Sequence, residues 1–524
     1  MFRSKWITCV LGVGLVSASV AACDQTKSTS TNDTTGTSTP ATDQNATNTT
    51  TTHEKLSDSD ITQAVERRLF ADGTIHDGDV VIKTTDGVVQ LIGHTDNLIT
   101  KKRAELLAST VKGVRSISNR IEVKTPKRAD SDIQNEVEHA LMFDAAAEAY
   151  EIDVTVKDQV VKLTGKVDSW TEQKLAERIA EGVRGVKRVD DQIQVNYDKQ
   201  RPDSEVLADV QARLRWDALV DQGMLQESVE DGVVTLSGVV GSLAEKLHAR
   251  NDAWKVVGVK NVKDDDVDVE WWAKRSDLRA NRPTYEPDGE IDNAIEDALL
   301  IDPRVSSFDI DVSVDGGVVT LKGNVTSLKA KRAAAQLAND TTGVRGVKNL
   351  LQVSMTKPPT DAVLADRVRS ALLFDPLISG FELPVTVKDG VATLNGTVNT
   401  YTEKAEAEDA ASAIAGIKDV KNQIDVKSEV AFVFQEYSYP LSPLVDWKTF
   451  RPDKSGTSDA SIQSNIANEL FWSPFLDSGD INVRVDQGVA TLSGTVDTWR
   501  ERNAATTSAY EGGATIVKNE LSVK

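Results

Sequence analysis

Apolar residues along this chain change period in a fixed order, and the order recurs. Between 130 and 197, Ile133, Val137, Ala140 and Leu141 fall at i, i+4, i+7 and i+8, the stripe of one helix face. Ile152, Val154 and Val156 then alternate with polar residues, the period of a half-buried strand. Asp158-Gln159 interrupts the alternation, and Val161, Leu163, Gly165 and Val167 resume it on one face of a second strand. A second helical stripe follows with Leu175, Ala176, Ile179 and Ala180, then a last strand with Val189, Ile193 and Val195. The pattern predicts helix, strand, strand, helix, strand. In three other copies the interruption is Asp-Gly, at 86–87, 231–232 and 389–390. That pair suits a two-residue hairpin turn, because it tolerates positive φ.

Internal repetition extends this unit over most of the chain. The second strand runs through a glycine in six places: Gly93, Gly165, Gly238, Gly323, Gly396 and Gly494. The intervals are 72, 73, 85, 73 and 98 residues, so the unit is about 70 residues and two intervals hold extra linker. A second glycine recurs near the end of each unit, at Gly113, Gly185, Gly258, Gly343, Gly416 and Gly513. Repeat three carries about one extra residue before Val267, and repeat six has Ala514 where others have Val or Ile. The first glycine of each pair shares the apolar face of its strand. It is expected to point into the core and let the second helix approach closely; a bulge or bend is the alternative. The second helix opens on a capping-box pattern in four copies, Ser169/Glu172, Ser242/Glu245, Thr400/Glu403 and Thr498/Glu501. Repeat four has Ser327 with Ala330, and repeat one Asn97 with Thr100.

The run Asp-Gly-Val-Val-Thr-Leu-Ser-Gly at 231–238, the Ser/Thr-x-x-Glu helix start, and the Gly-Val-x-x-Val-x-Asn-x-Ile-like run from Gly113 resemble the BON domain. The resemblance covers 56–125, 130–197, 203–270, 288–356, 360–428 and 457–524. It implies an α+β chain: a tandem array of six α-β-β-α-β modules, each a three-stranded mixed sheet with two helices on one face. It also implies a non-catalytic role in the bacterial envelope, with phospholipid binding, envelope integrity and osmotic-stress tolerance as expectations.

The N-terminus reads differently. Arg3 and Lys5 precede an apolar stretch from Trp6 to about Val20, followed by Val20-Ala21-Ala22-Cys23. Short apolar length and small residues before the cut mark a secretory signal over residues 1–22 rather than a spanning helix. The tetrapeptide resembles the lipobox of bacterial lipoproteins, with Cys23 as the lipidated residue. Acyl chains there would anchor the chain to a membrane, each buried methylene contributing about 0.8 kcal/mol. The expected location is the cell envelope, facing the periplasm; Asp24 points weakly to the inner membrane. Residues 23–55 are Ser/Thr-rich and read as a disordered tether spanning roughly 30 Å. Two sequons within it, at Asn32 and Asn45, are explained by that composition.

The net charge of −21 becomes −23 once Arg3 and Lys5 leave with the signal peptide. It opposes nucleic-acid binding and any global attraction to anionic lipid. Cys9 leaves with the signal and Cys23 is acylated, so no disulfide, Cys-ligated metal or cysteine nucleophile is expected.

Linkers such as Thr125-Pro126-Lys127-Arg128, Arg201-Pro202-Asp203 and Lys357-Pro358-Pro359 suggest beads with limited mobility. Two insertions mix aromatic with basic residues: 271–289, with Trp271 and Trp272, and 429–456, with Trp447. They suit a headgroup boundary or a protein partner, or else pack onto neighbouring modules; packing is preferred because each module buries only about 60% of its unfolded surface. Trp170, Tyr401 and Trp499 each follow a second-helix cap, where Leu98, Leu243 and Leu328 stand in the other repeats. They are read as membrane-dipping tips or, preferably, as plugs over the open end of the core.

The five histidines share no repeat position, and no catalytic triad, zinc spacing or phosphate loop emerges. The acidic run Asp264-Asp265-Asp266 with Asp268 and Glu270 lacks a calcium-loop pattern and reads as a solvated strand edge. No cofactor, metal or catalytic residue is expected. The leading expectation is a multivalent binder of phospholipid or envelope surface. The alternative is a periplasmic protein-interaction or chaperone-like scaffold. An enzyme would require polar groups with shifted pKa values converging in a pocket between modules.

Overall fold

The computed structural model describes residues 56–76, 78–144, 147, 151–197, 201–274, 286–305, 309–427 and 457–524. These lie in one compact unit, Glu54–Lys524. The signal peptide, Cys23, the tether, Trp447 and residues 428–456 lie outside the described residues.

Module 1 shows the repeated order. Helix Asp58–Asp72 is followed by strands Val80–Thr85 and Val88–Thr95, helix Leu98–Ser109 and strand Ser116–Val123. The middle strand pairs antiparallel with the first and parallel with the last, so each module holds its own mixed sheet. The same order recurs in the other five, with the last strand divided in modules 4 and 5 and the middle strand also divided in module 5. The core of module 1 joins Ile61, Val65 and Leu69 of the first helix, Ala104 and Leu107 of the second, and Val89, Leu91 and Ile121 of the sheet. Both helices therefore cover one face. The extra residue of module 3 is taken up where the register slips between Thr235 and Ser237.

Each hairpin turn has both central residues at positive φ, as in Asp86 (50°) and Gly87 (75°). Module 2 does this without glycine: Gln159 sits at φ 63°, and its buried amide donates to the carbonyls of Pro126 and Gly185 at 2.9 and 3.0 Å. Every turn is also clasped by the aspartate that opens the first helix. Asp58, Asp130, Asp203, Asp288, Asp361 and Asp459 each accept both turn N–H groups, at 2.8–3.0 Å. One carboxylate thus ties helix to hairpin through two charge-assisted bonds.

The recurrent strand glycine has a different cause from the expected one. All six lie at φ between 120° and 153°. A Cβ there would overlap a backbone carbonyl oxygen at or just before the start of the first strand; at Gly396 it would lie 2.5 Å from the Glu382 oxygen. The pairing register runs through Gly93 without a shift, so glycine is needed there for its backbone angle and the close carbonyl. Close approach of a helix belongs instead to the second glycine: a Cβ on Gly113 or Gly343 would press on Ile61 or Ile291 of the first helix.

The cap residue accepts from the third helical N–H in all six second helices. Glu172, Glu245, Glu403 and Glu501 reach back to the N–H one residue before the cap, and Glu403 also takes the N–H of Thr400 itself.

The expectation of separate beads is corrected. Arg184, Thr342 and Lys112 donate their backbone N–H to the carbonyls of Phe374, Trp216 and Trp472, at 2.8, 2.9 and 3.1 Å. Each donor precedes a second glycine; each acceptor is the aromatic last residue of a first helix in another module. This one contact joins module 2 to 5, 4 to 3, and 1 to 6. The linkers bind too: Arg128 holds Glu136 at 2.6 Å and the Arg184 carbonyl at 2.7 Å.

Candidate functional site

The second-helix N-termini were the sequence's candidate contacts, and each of the six abuts another module. Leu98 enters the core of module 2, Leu243 that of module 1, and Leu328 that of module 5. Trp170 stacks on Trp254 of module 3, centroids 6.1 Å apart and planes 11° apart. Beside Tyr401, Thr402 donates to the Asp72 carbonyl of module 1 at 2.8 Å. Trp499 lies 5.4 Å from the guanidinium of Arg345 in module 4 and as far from its own Arg502. Leu98, Leu243 and Leu328 thus help close a neighbour's core, while Trp170, Tyr401 and Trp499 are half-buried beside other modules.

Trp271 and Trp272 open a short 3-10 turn, Trp271–Lys274. Lys112 of module 1 lies 5.7 Å from the Trp271 ring and 4.8 Å from Phe471 of module 6. Burial pushes this ammonium down to about 8, with Asp477 opposing. Asp265, Asp266 and Asp268 stand exposed on the last strand of module 3. Among the described residues no His, Cys, Asp or Glu group is arranged to hold a metal. None of their helices is long and apolar enough to cross a membrane.

Packing of the modules creates a cavity of about 400 Å³ between modules 2, 3 and 4. Its walls include Trp170, Trp216, Leu219, Ile301 and Leu337. Its charges are paired. His248 Nδ1 lies 3.5 Å from Asp217, Lys255 Nζ 2.7 Å from Asp252 Oδ1, and Arg304 2.6 Å from Asp302. Burial pushes Asp252 up to about 7, Lys255 opposing and Asp217 adding to the rise. Burial acts to raise Asp217, but the bond and charge of His248, the bond to Asp252 and the charge of Lys255 together outweigh it and hold the group below the usual carboxylate range. Burial depresses Arg213, with Asp252, Asp297, Asp209 and Asp217 all opposing.

A smaller cavity, about 200 Å³, lies between modules 2, 4 and 5 and includes Arg178, Lys329, Asp375 and Glu406. Burial, then Glu406, raises Asp375; burial, then Asp409, raises Glu406.

The first cavity meets the criterion for an enzyme between modules, polar groups converging with shifted pKa values. The lining hydroxyls of Thr171 and Thr341 donate to the carbonyls of Ile301 and Leu337, so neither is activated by a neighbouring base. The sequence reading missed these residues. One signal was present: Asp144, Asp217, Asp302 and Asp375 recur directly after the first helix, preceded by Phe, Trp, Ile and Phe. Asp217, Asp302 and Asp375 accept a backbone N–H two residues on, ending the helix in a tight turn. Assembly brings those helix ends together.

Osmotically-inducible protein Y of Escherichia coli (strain K12) is 32% identical over 146 residues, covering 27% of this chain and 73% of that protein. Two structures of CdsD, a structural protein of the Type III secretion system of Chlamydia trachomatis, align at low identity. The C-terminal domain is 14% identical over 40% of this chain and 98% of that one, with a TM-score of 0.11. The other is 16% identical over 43% and 99%, with a TM-score of 0.12. Those TM-scores carry no argument. The model of the BON domain matches 57–125, 129–197, 202–270, 287–355, 360–428 and 458–524. With six matches spanning most of the chain, this protein belongs to the BON domain family.

Proposed function

We propose that the chain is a non-enzymatic, lipid-anchored protein of the cell envelope whose BON body binds phospholipid or envelope surface and supports envelope integrity under osmotic stress. Acylation at Cys23 would supply the anchor, with the body facing the periplasm. The name of the Escherichia coli relative supports the osmotic part of this reading.

One observation carries the surface-binding part. The tips are used between modules, yet another apolar position recurs in the open. Met142, Leu300, Leu373 and Phe471 lie two residues before the first-helix C-cap in four modules, and are 60%, 71%, 53% and 41% exposed. Repeated exposed apolar side chains suit a weak, multivalent surface contact. The net charge of −21 means that such contact is apolar rather than electrostatic.

Vesicle flotation of the Cys23→Ser protein tests this. Binding to phosphatidylcholine vesicles is expected to equal or exceed binding to phosphatidylglycerol vesicles at low salt. Met142→Asp with Leu373→Asp should reduce it by about tenfold. No flotation with either lipid would remove the phospholipid reading and leave the protein-interaction scaffold.

A further inference from the structure

We propose that the cavity between modules 2, 3 and 4 binds a small uncharged aromatic molecule. The repeats supply an internal comparison. Modules 2 and 3 are offset by 73 residues, as are modules 4 and 5, so the border of modules 3 and 4 can be laid residue by residue on that of modules 2 and 5. One edge of the two borders is the same: Asp144 bridges Ile414, and their counterparts Asp217 and Thr341 bridge likewise. The other edge differs. Between modules 2 and 5 the Arg184 N–H closes it on the Phe374 carbonyl at 2.8 Å. The counterparts Val257 and Ile301 make no such bond among the described residues, and the Ile301 carbonyl takes the Thr171 hydroxyl of module 2 at 3.1 Å.

The side chains at that edge differ too. Between modules 2 and 5 the His139 ring packs with the rings of Phe143 and Phe374, centroids 4.1 and 5.8 Å apart. Between modules 3 and 4 these three positions hold Ala212, Trp216 and Ile301. A ring is thus replaced by a methyl group while its apolar neighbours are kept. The cavity there is about 400 Å³, against about 200 Å³ at the other border, and falls in the range of small-molecule sites. Val257 and Leu300, on its wall, stay 42% and 71% exposed, so the edge is open to an entering molecule. A planar ring against Trp216 and Ile301 would restore the packing that His139 gives the other border.

Charge is not called for. Lys255 is held by Asp252 at 2.7 Å, Arg304 by Asp302 at 2.6 Å and Arg201 by Asp209 at 2.7 Å, and Asp252 is also hydrogen-bonded to Asp217. Arg213 donates to the Asp297 carbonyl at 3.3 Å and stands among four carboxylates. A charged ligand would displace one of these partners or lie beside a like charge, and removing one member of a buried pair is costly. An uncharged ring leaves every pair intact.

Calorimetric titration of the purified protein with indole, cyclohexanol, indole-3-acetate and tryptamine tests this. Indole should bind at one site with a dissociation constant of about 0.1–1 mM, as befits so small a ligand. Cyclohexanol and both charged analogues should bind at least about tenfold more weakly. Ala212→His, which returns the ring of the other border, and Ala298→Phe should each weaken indole binding by about tenfold or more, with unchanged circular dichroism. Hydrogen exchange locates the site without a variant. Indole at ten times its dissociation constant should slow the Val256 and Thr342 amides by up to about tenfold and leave Val183 and Arg184, at the other border, unchanged. If either variant fails to fold, the exchange result decides. Absence of indole binding up to about 10 mM overturns the proposal. So does equal or tighter binding of cyclohexanol or a charged analogue, protection spread evenly over both borders, or affinity unaltered in both variants.

Discussion

At the scale of single residues, the aspartate at the start of each first helix does more for the module than its place in the sequence suggests. It is near the helix N-terminus, where a negative charge interacts well with the dipole, and it also closes the hairpin about 28 residues away. Asp361 holds the N–H groups of Asp389 and Gly390 at 2.9 and 3.0 Å, in a turn whose positive φ values need support. Asp361→Ala leaves both donors to water and should destabilise that hairpin by about 1–3 kcal/mol. Hydrogen exchange reads this locally: the Asp389 and Gly390 amides should exchange faster, by roughly one to two powers of ten. Unchanged protection there would show the clasp to be incidental. The Asp-Gly turns were legible in the sequence because their chemistry is local. The clasp was not, because an aspartate at a helix start already has a sufficient local explanation as a dipole partner.

At the scale of elements, apolar period fixed every helix and strand of module 2, while the destination of a side chain at a helix end stayed open. Leu243 reads as a plug over its own core only because sequence pattern records burial, not the identity of the neighbour. In the folded chain it is 8% exposed and belongs to the core of module 1. The second helix of module 3, Leu243–Trp254, is therefore an element of two modules. Leu243→Ala removes buried methyl groups and should cost about 2–4 kcal/mol. The loss should appear as reduced amide protection in strand Val88–Thr95 of module 1, while strand Val233–Val240 of module 3 changes less. Protection lost only in module 3 would return the leucine to its own core. The strand glycines teach the same lesson in reverse. Their face was legible, but the obstacle was the carbonyl of an adjacent strand, which no side-chain pattern encodes.

At the scale of the whole molecule, six small modules gain by closing one another. A unit of about 70 residues has a poor ratio of core to surface, and an apolar helix tip with a neighbour's core beside it is a ready remedy. Ion pairs follow the same borders: Lys329 with Asp409 at 2.8 Å and Arg332 with Glu408 at 2.6 Å join modules 4 and 5, and Arg500 with Asp340 at 3.1 Å joins 6 to 4. Proline beside charge in the linkers suggested beads with limited mobility, because linker composition reports local stiffness and carries no record of long-range packing. Solution scattering separates the two arrangements. A compact body over Glu54–Lys524 should have a radius of gyration of about 23 Å. A string of six modules, each about 11 Å in radius of gyration, would exceed about 40 Å. Raising the salt concentration should leave the compact value unchanged, since apolar plugs such as Leu98 and Leu328 do not depend on screening. Expansion toward the larger value in salt would mean that charge pairs alone hold the modules together, and that the cavity between modules 2, 3 and 4 opens with them.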